Sequence, residues 1–292
     1  MRGLKDAIAA ELAAGPDDAA AAFGASLADP ERDAAILYYG STLRTGDLSG
    51  MLDFYRLTRR PHRRGLRGLV ERVLWPEVSY HEAGKLRAKV ATLPLATFRR
   101  AAEGRTLDTT IWTRFVQPAR IVWAADEAAR AEAVAAVAAA VRTASRYAAA
   151  AGPAEGSAKD FWLALFRKTY AAEFRVESAG RADEVMGPNA ARFARLLPMA
   201  WDEAGVDFAQ VGLLRPRRRG LPRWWLRSAL GKPLNLARLA KAAFTFEGAA
   251  RYAAWKIERH TGLAIEVTPW RERHPILAAP GVLWKLSRRK KP

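Results

Sequence analysis

Residues 34–57, AAILYYGSTLRTGDLSGMLDFYRL, hold the residue types best suited to chemistry. A strand-like apolar run, Ile36 to Tyr39, ends on Gly40-Ser41. A polar loop from Thr42 to Gly50 contains Arg44 and Asp47, and a second strand-like run, Met51 to Leu57, carries Asp53 near its start. Glycine in a tight turn lets the backbone N–H groups approach a phosphate closely. The Ser41 hydroxyl is suited to a phosphate oxygen, and the Arg44 guanidinium to charge that develops during transfer. Asp53, with Asp47 as a second possible ligand, is suited to magnesium, which takes oxygen ligands from carboxylates and phosphates. Asp53 is hard to dismiss, because a charge in an apolar strand is costly unless it is paired or metal-bound.

The surrounding elements follow from periodicity and breakers. Residues 4–27 read as two short helices split at Gly15-Pro16, and Ala28 to Arg32 as a turn. Arg59 to Arg72, RRPHRRGLRGLVER, reads as a basic loop running into a short helix. Leu74 to Tyr80 is expected to be irregular around Pro76, and Leu86 to Leu93 to be a strand. A helix over Thr106–Phe115, a strand over Ala119–Ala124 and a long alanine-rich helix from Asp126 follow, the last stopped by Gly152-Pro153. Beyond 152 the chain reads as mainly helical. Ala190–Ala204 is expected to be interrupted at Pro198, and residues 234–260 to form one long helix with Leu239 on its apolar face. Leu263–Val267 is expected to be a short strand. The expected class is α+β, with a small mixed sheet and flanking helices in residues 1–152 and a mainly helical, basic domain in 153–292.

A Gly-Ser turn after a strand, followed by an acidic strand, resembles the polymerase-β-type nucleotidyltransferases. More narrowly, GSTLRTGDLSGMLDFYRL resembles the Tam41-type phosphatidate cytidylyltransferases. Further similarity lies in WPEVSY (Trp75 to Tyr80), TTIWTRFVQPARIVW (Thr109 to Trp123) and TYAAEFRVES (Thr169 to Ser178). The resemblance implies an enzyme that condenses CTP with phosphatidic acid, using magnesium, to give CDP-diacylglycerol and pyrophosphate. It also implies a peripheral membrane protein. On this reading Gly40, Ser41 and Arg175 bind the nucleotide, Asp53 and Arg44 are catalytic, and Asp53, Asp47 and Glu173 hold the metal. The superfamily's Asp-x-Asp pair is absent, because Met51 and Tyr55 flank Asp53. The second carboxylate is left to Asp47, Asp108, Glu173 or Glu177, and the family's basic residue to Arg44, Lys168 or Arg175. Glu173, Arg175 and Glu177 also suit a solvated face with local ion pairs.

With no cysteine, disulfides, cysteine-based zinc sites and a cysteine nucleophile are excluded. The four histidines, His62, His81, His260 and His274, have no metal-ligand spacing. A net charge of +18 favours a polyanionic partner. Trp224-Trp225 among the arginines of residues 215–227 favours an anionic phospholipid surface, where indoles sit at headgroup level. Nucleic acid is the weaker alternative, since no helix-turn-helix, zinc-finger or RRM pattern occurs. No run approaches the roughly 18 apolar residues of a membrane span, and the N-terminus reads as an amphipathic helix rather than a signal peptide. A cytoplasmic location, with peripheral binding to the inner face of a membrane, is expected; the oligomeric state is open. Two other readings stand beside the lipid enzyme: a nucleotidyltransferase acting on a non-lipid acceptor, and a degenerate basic module that binds membrane or nucleic acid.

Overall fold

The computed structural model describes residues 3–15, 18–61, 65–172, 185–217, 220, 224–274, 277, 278 and 281. Its first helices are α1 (Leu4–Ala13) and α2 (Asp18–Ser26). The next strand, β1 (Asp33–Tyr39), is buried at every position, as a strand covered on both faces must be. It runs antiparallel to β2 (Met51–Thr58) on one side and β5 (Ala119–Ala124) on the other. Outside β2 lies β4 (Leu86–Pro94), parallel to it, and then β3 (Glu77–Ala83), antiparallel to β4. The order β3-β4-β2-β1-β5 makes a five-stranded mixed sheet, and the chain is α+β with helices around the sheet and a helical C-terminal region.

Side-chain alternation divides the sheet into two faces. Ile36, Tyr38, Leu52, Phe54, Ala88 and Val90 pack with Ala20 and Phe23 of α2. Leu37, Tyr39, Tyr55, Leu57 and Leu93 face a larger core built with α5 (Leu95–Ala102), α6 (Thr110–Phe115) and α7 (Glu127–Ala151). Asp126 caps α7 by accepting from the Ala129 N–H at 2.7 Å, and the alanines of α7 let α1, α5, α6, α8 (Ala158–Ala172) and α9 (Ala190–Ala204) pack close around it. Phe161, Trp162, Phe166, Phe193 and Trp201 belong to this same cluster, so the buried core runs across the expected division at residue 152.

Several local expectations are corrected. Thr42 to Gly50 is not all loop: Ser41–Thr45 forms a helical turn, α3, that ends on Gly46 with φ 71°. α4 covers Gly65–Val73. The Trp75-Pro76 bond is cis, and regular β3 begins directly after it. The Thr106–Phe115 helix starts only at Thr110, where Asp108 Oδ1 accepts the Thr110 N–H at 2.8 Å. Pro198 lies inside an unbroken α9, where burial of Phe193, Leu196, Leu197, Ala200 and Trp201 outweighs the proline's local cost. A hairpin of β6 (Phe208–Val211) and β7 (Leu213–Pro216), unforeseen in the sequence, turns at Gly212.

The single long helix expected over 234–260 is two helices, α10 (Trp224–Thr245) and α11 (Ala249–Thr261). The break has a cause. The Glu247 carbonyl accepts the Tyr80 N–H at 2.8 Å, and a Cβ on Gly248 (φ 79°) would lie 3.0 Å from the Tyr80 carbonyl oxygen. The chain thus closes against the edge strand β3, which would otherwise offer unpaired backbone groups. Leu263–Val267 is not a strand, and α12 covers Pro269–Arg273. Among the described residues no helix is long and apolar enough to cross a membrane.

The basic segments are also less free than their composition suggests. Arg59 pairs with Asp126, and Arg215 with Glu155 at 2.8 Å. Trp224 packs on Tyr147, Arg227 is buried, and only Trp225 of the tryptophan pair faces out.

Candidate functional site

The antiparallel register of β1 and β2 sets Tyr39 opposite Asp53, so the aspartate arrives beside the turn that follows β1. Gly40 there has φ 100° and ψ −165°, a conformation open mainly to glycine. A Cβ at this position would meet Asp53 Oδ2 at 2.8 Å. The turn therefore needs glycine twice, for its backbone angles and for the closeness of the carboxylate.

The parallel register of β2 and β4 sets Lys89 beside Asp53. Lys89 Nζ is 3.0 Å from Asp53 Oδ1, at ion-pair distance but without hydrogen-bond alignment. Asp53 is the main reason the Lys89 ammonium is held above its ordinary pKa, and burial and the nearby Arg114 oppose it. Both side chains keep some exposure, so a solute can reach the pair.

Arg114 comes to the same face from the last turn of α6. Its Nη1 donates to the Tyr55 hydroxyl at 2.9 Å and the Tyr39 hydroxyl at 3.4 Å. Its guanidinium carbon lies 5.3 Å from the Tyr39 ring centroid and 5.8 Å from that of Tyr55. Burial raises the Tyr39 phenol well above its usual pKa, with Arg114 acting against it. Arg44, on α3, donates to Gln117 Oε1 at 3.2 Å, just beyond α6. α11 closes the opposite side: Tyr252 packs on Tyr80, the register partner of Lys89, and Arg259 Nη1 reaches the Ser49 carbonyl at 3.4 Å. Among the described residues the result is a carboxylate at a glycine turn with Lys89 beside it, Arg114 on the same face and Arg44 on the helical turn that follows Gly40. A surplus of cations at a close-approach turn suits a polyphosphate.

Two of the other expected carboxylates are engaged by partners of their own. Asp47 is exposed and accepts the Ser49 N–H at 2.9 Å, and these Ser49 bonds hold its carboxyl below the usual range. Asp108 is paired with Arg238, and its Oδ1 accepts the Thr110 N–H at 2.8 Å. Glu173, Arg175 and Glu177 lie outside the described residues. Lys168 stacks over Trp224 at 5.4 Å.

Among the described residues no group of three His, Asp or Glu side chains could hold a metal ion by itself. Magnesium, however, often takes one or two carboxylates and completes its shell from substrate phosphates and water. Asp53 fits that one-carboxylate mode, because its Oδ2 faces the Gly40 cradle while Oδ1 faces Lys89.

Lys89 and Arg114 were missed in the sequence. Lys89 had the signal that singled out Asp53, a charge inside an apolar strand, but a lysine at a sheet position is readily taken for a solvent-facing one. Arg114 sits in a segment with family likeness, but its role depends on reaching two tyrosines far away in the chain. Comparison with models of known families gives no match, and comparison with curated proteins gives none either.

Proposed function

We propose that the chain is a nucleotidyltransferase that transfers a cytidylyl group from CTP to a phosphate-bearing lipid. The observation that carries the reading is the closeness of Asp53 to the Gly40 turn, with Lys89 as its register partner. The element order supports it too: strand, glycine turn, short helix, acidic antiparallel strand and, after a helix and the edge strand, a strand parallel to the acidic one.

In this reading the backbone N–H groups at Gly40-Ser41 and the Ser41 hydroxyl bind the triphosphate. Lys89 exchanges its contact with Asp53 for a phosphate oxygen, so that one anionic partner replaces another and the ammonium keeps its charge. Arg114, fixed by Tyr39 and Tyr55, supplies a preorganised positive charge that needs no rearrangement during the reaction. Arg44 adds charge on the α3 side. Asp53, together with phosphate oxygens, would hold magnesium, which supplies charge neutralisation at the phosphates. An oxygen of the lipid phosphate attacks the α-phosphorus, the bond from that phosphorus to the bridging oxygen breaks, and pyrophosphate leaves.

The test is incubation of purified protein with labelled CTP, magnesium and phosphatidic acid vesicles, beside Asp53→Asn. Lipid-linked CMP from the wild type and its loss in the variant support the reading; no product from either overturns it. One observation favours a second reading: the carboxylate found at the turn among the described residues is already ion-paired, which suits a protein that binds the triphosphate without transferring it. That reading expects CTP binding that Lys89→Met weakens, and no product.

A further inference from the structure

Helix α10 turns its two arginines inward and leaves Leu230, Leu236 and Leu239 exposed. Arg227 is only 4% exposed, and its guanidinium donates to the carbonyls of Gly104 at 2.7 Å and Thr106 at 2.5 Å. Arg238 pairs with Asp108 and lies 4.4 Å from the centre of the Trp75 ring. Lys241 Nζ donates to the Leu74 carbonyl at 3.0 Å. Between them Gly231 backs onto α8, where a Cβ would come within 2.4 Å of the Ala172 carbonyl oxygen. The inward face is thus fixed by cations bonded to carbonyls and one carboxylate.

The outward face is apolar. Trp225 is 74% exposed, Leu236 63% and Leu239 55%. With exposed Ala229, Lys232 and Ala240 they fall at 225, 229, 232, 236, 239 and 240, a stripe at helical spacing. At the helical rise it runs about 22 Å along the surface. Globular helices ordinarily place leucine inward and arginine outward, and a contiguous exposed apolar strip marks a surface that meets something else.

We propose that the outer face of α10 docks the protein, with the helix lying in the interface plane, on an anionic lipid bilayer. Charge identifies the occupant. The helix, WWLRSALGKPLNLARLAKAAFT, contains no aspartate or glutamate, Lys232 sits within the stripe, and the chain carries a net charge of +18. A second copy on this face would bring Lys232 and a like-charged molecule against their equals, which is unfavourable. Anionic headgroups neutralise the same charges, and Trp225 at the end of the stripe is the residue type that settles at headgroup level. A long lysine in an apolar stripe can bury its stem and hold its ammonium among the headgroups. The docking requires no nucleotide and stands apart from the transfer reaction proposed above.

The experiment is co-sedimentation, without nucleotide, with vesicles of phosphatidylcholine alone or mixed with phosphatidylglycerol. Phosphatidylglycerol keeps binding of a phosphatidic acid substrate out of the readout. Wild type is expected to bind the mixed vesicles and to bind pure phosphatidylcholine more weakly. Trp225→Ser/Leu236→Ser/Leu239→Ser is expected to bind the mixed vesicles at least about tenfold more weakly, since three large apolar side chains are lost from the buried face. Lys232→Glu is expected to weaken binding to mixed vesicles only. All four positions are exposed, so thermal unfolding of the variants should match wild type and separate lost docking from lost folding. Wild type that binds neither vesicle, or a triple variant that binds like wild type, overturns the proposal. So does a wild-type dimer in sedimentation velocity that the triple variant converts to monomer, because the stripe would then be a contact between copies.

Discussion

Asp53 and Lys89 are direct register partners on parallel strands, with Nζ and Oδ1 3.0 Å apart, and the carboxylate's other oxygen faces the Gly40 turn. The 35 residues between them in sequence include a helix and an edge strand, so only the parallel pairing of β2 and β4 brings them together. The pair has two consequences. In the free protein each charge is the other's partner, and when an anion arrives the lysine can turn to it while the aspartate is released to a cation.

Lys89→Met is therefore expected to weaken CTP binding by about tenfold or more, because a charge-assisted contact to phosphate is lost at a partly desolvated site. Asp53→Asn should act in the opposite sense on binding measured without magnesium: it removes a negative charge beside the phosphates and frees Lys89. Isothermal titration with CTP, with and without magnesium, checks both. Tighter magnesium-free binding by Lys89→Met than by wild type would rule out this arrangement.

Gly40→Ala tests the turn itself. The φ of 100° strains any side chain, at about 1–3 kcal/mol, and the new Cβ would press on Asp53 Oδ2 at 2.8 Å. The expected result is a lower unfolding midpoint in urea together with loss of CTP binding. Gly46→Ala is the control: its φ of 71° is also left-handed, but nothing lies within 4 Å of its added Cβ, so it should lose stability and retain binding.

Much of the sheet was legible because its signals are local. The apolar run of β1, the Gly40-Ser41 break and the apolar Leu86–Leu93 run each announce themselves within a few residues. The helix start at Asp126 is similarly explicit, an acid that caps the first turn. What stayed hidden depended on distant parts of the chain. Gly248 breaks a helical pattern only because Tyr80 of β3 lies against it. Leu239 was expected to face inward from its spacing, yet Arg227 and Arg238 hold the opposite face of α10 to the body through Gly104, Thr106 and Asp108. The closeness of Asp53 to Gly40 was legible because the two lie near each other in sequence, while Lys89 and Arg114 reach Asp53 only through tertiary pairing.

The Arg238–Asp108 pair should be the main anchor of α10. Both side chains are largely buried, and Asp108 also starts α6, the helix that carries Arg114. Arg238→Met leaves a buried carboxylate without its cation, and breaking such a pair costs about 3–5 kcal/mol. Asp108→Asn in the Arg238→Met background should recover part of the loss, because no unpaired charge then remains. Urea unfolding of the single and double variants measures the coupling. Strictly additive losses would show that the two residues act independently.

His81 gives the protein a specific response to acid. It is half-buried on β3, with Ser79 Oγ 2.8 Å from Nε2. Burial is the largest cause that lowers its pKa below 6.5; Arg56 and Arg251 push the same way, and Glu247 opposes them. The unfolded chain therefore takes up a proton near pH 6.5 while the folded chain still resists it. The contribution of neutral His81 to stability is complete above that pH and is lost progressively as pH falls from about 6.5 through the lower folded value, at no more than about 1.4 kcal/mol per pH unit. His81→Gln keeps a hydrogen-bonding side chain but cannot titrate. Between about pH 7.5 and about pH 5.5 its urea stability should fall less than that of wild type, with the difference growing only below about pH 6.5. Identical acid slopes for the two proteins would place the titrating group elsewhere.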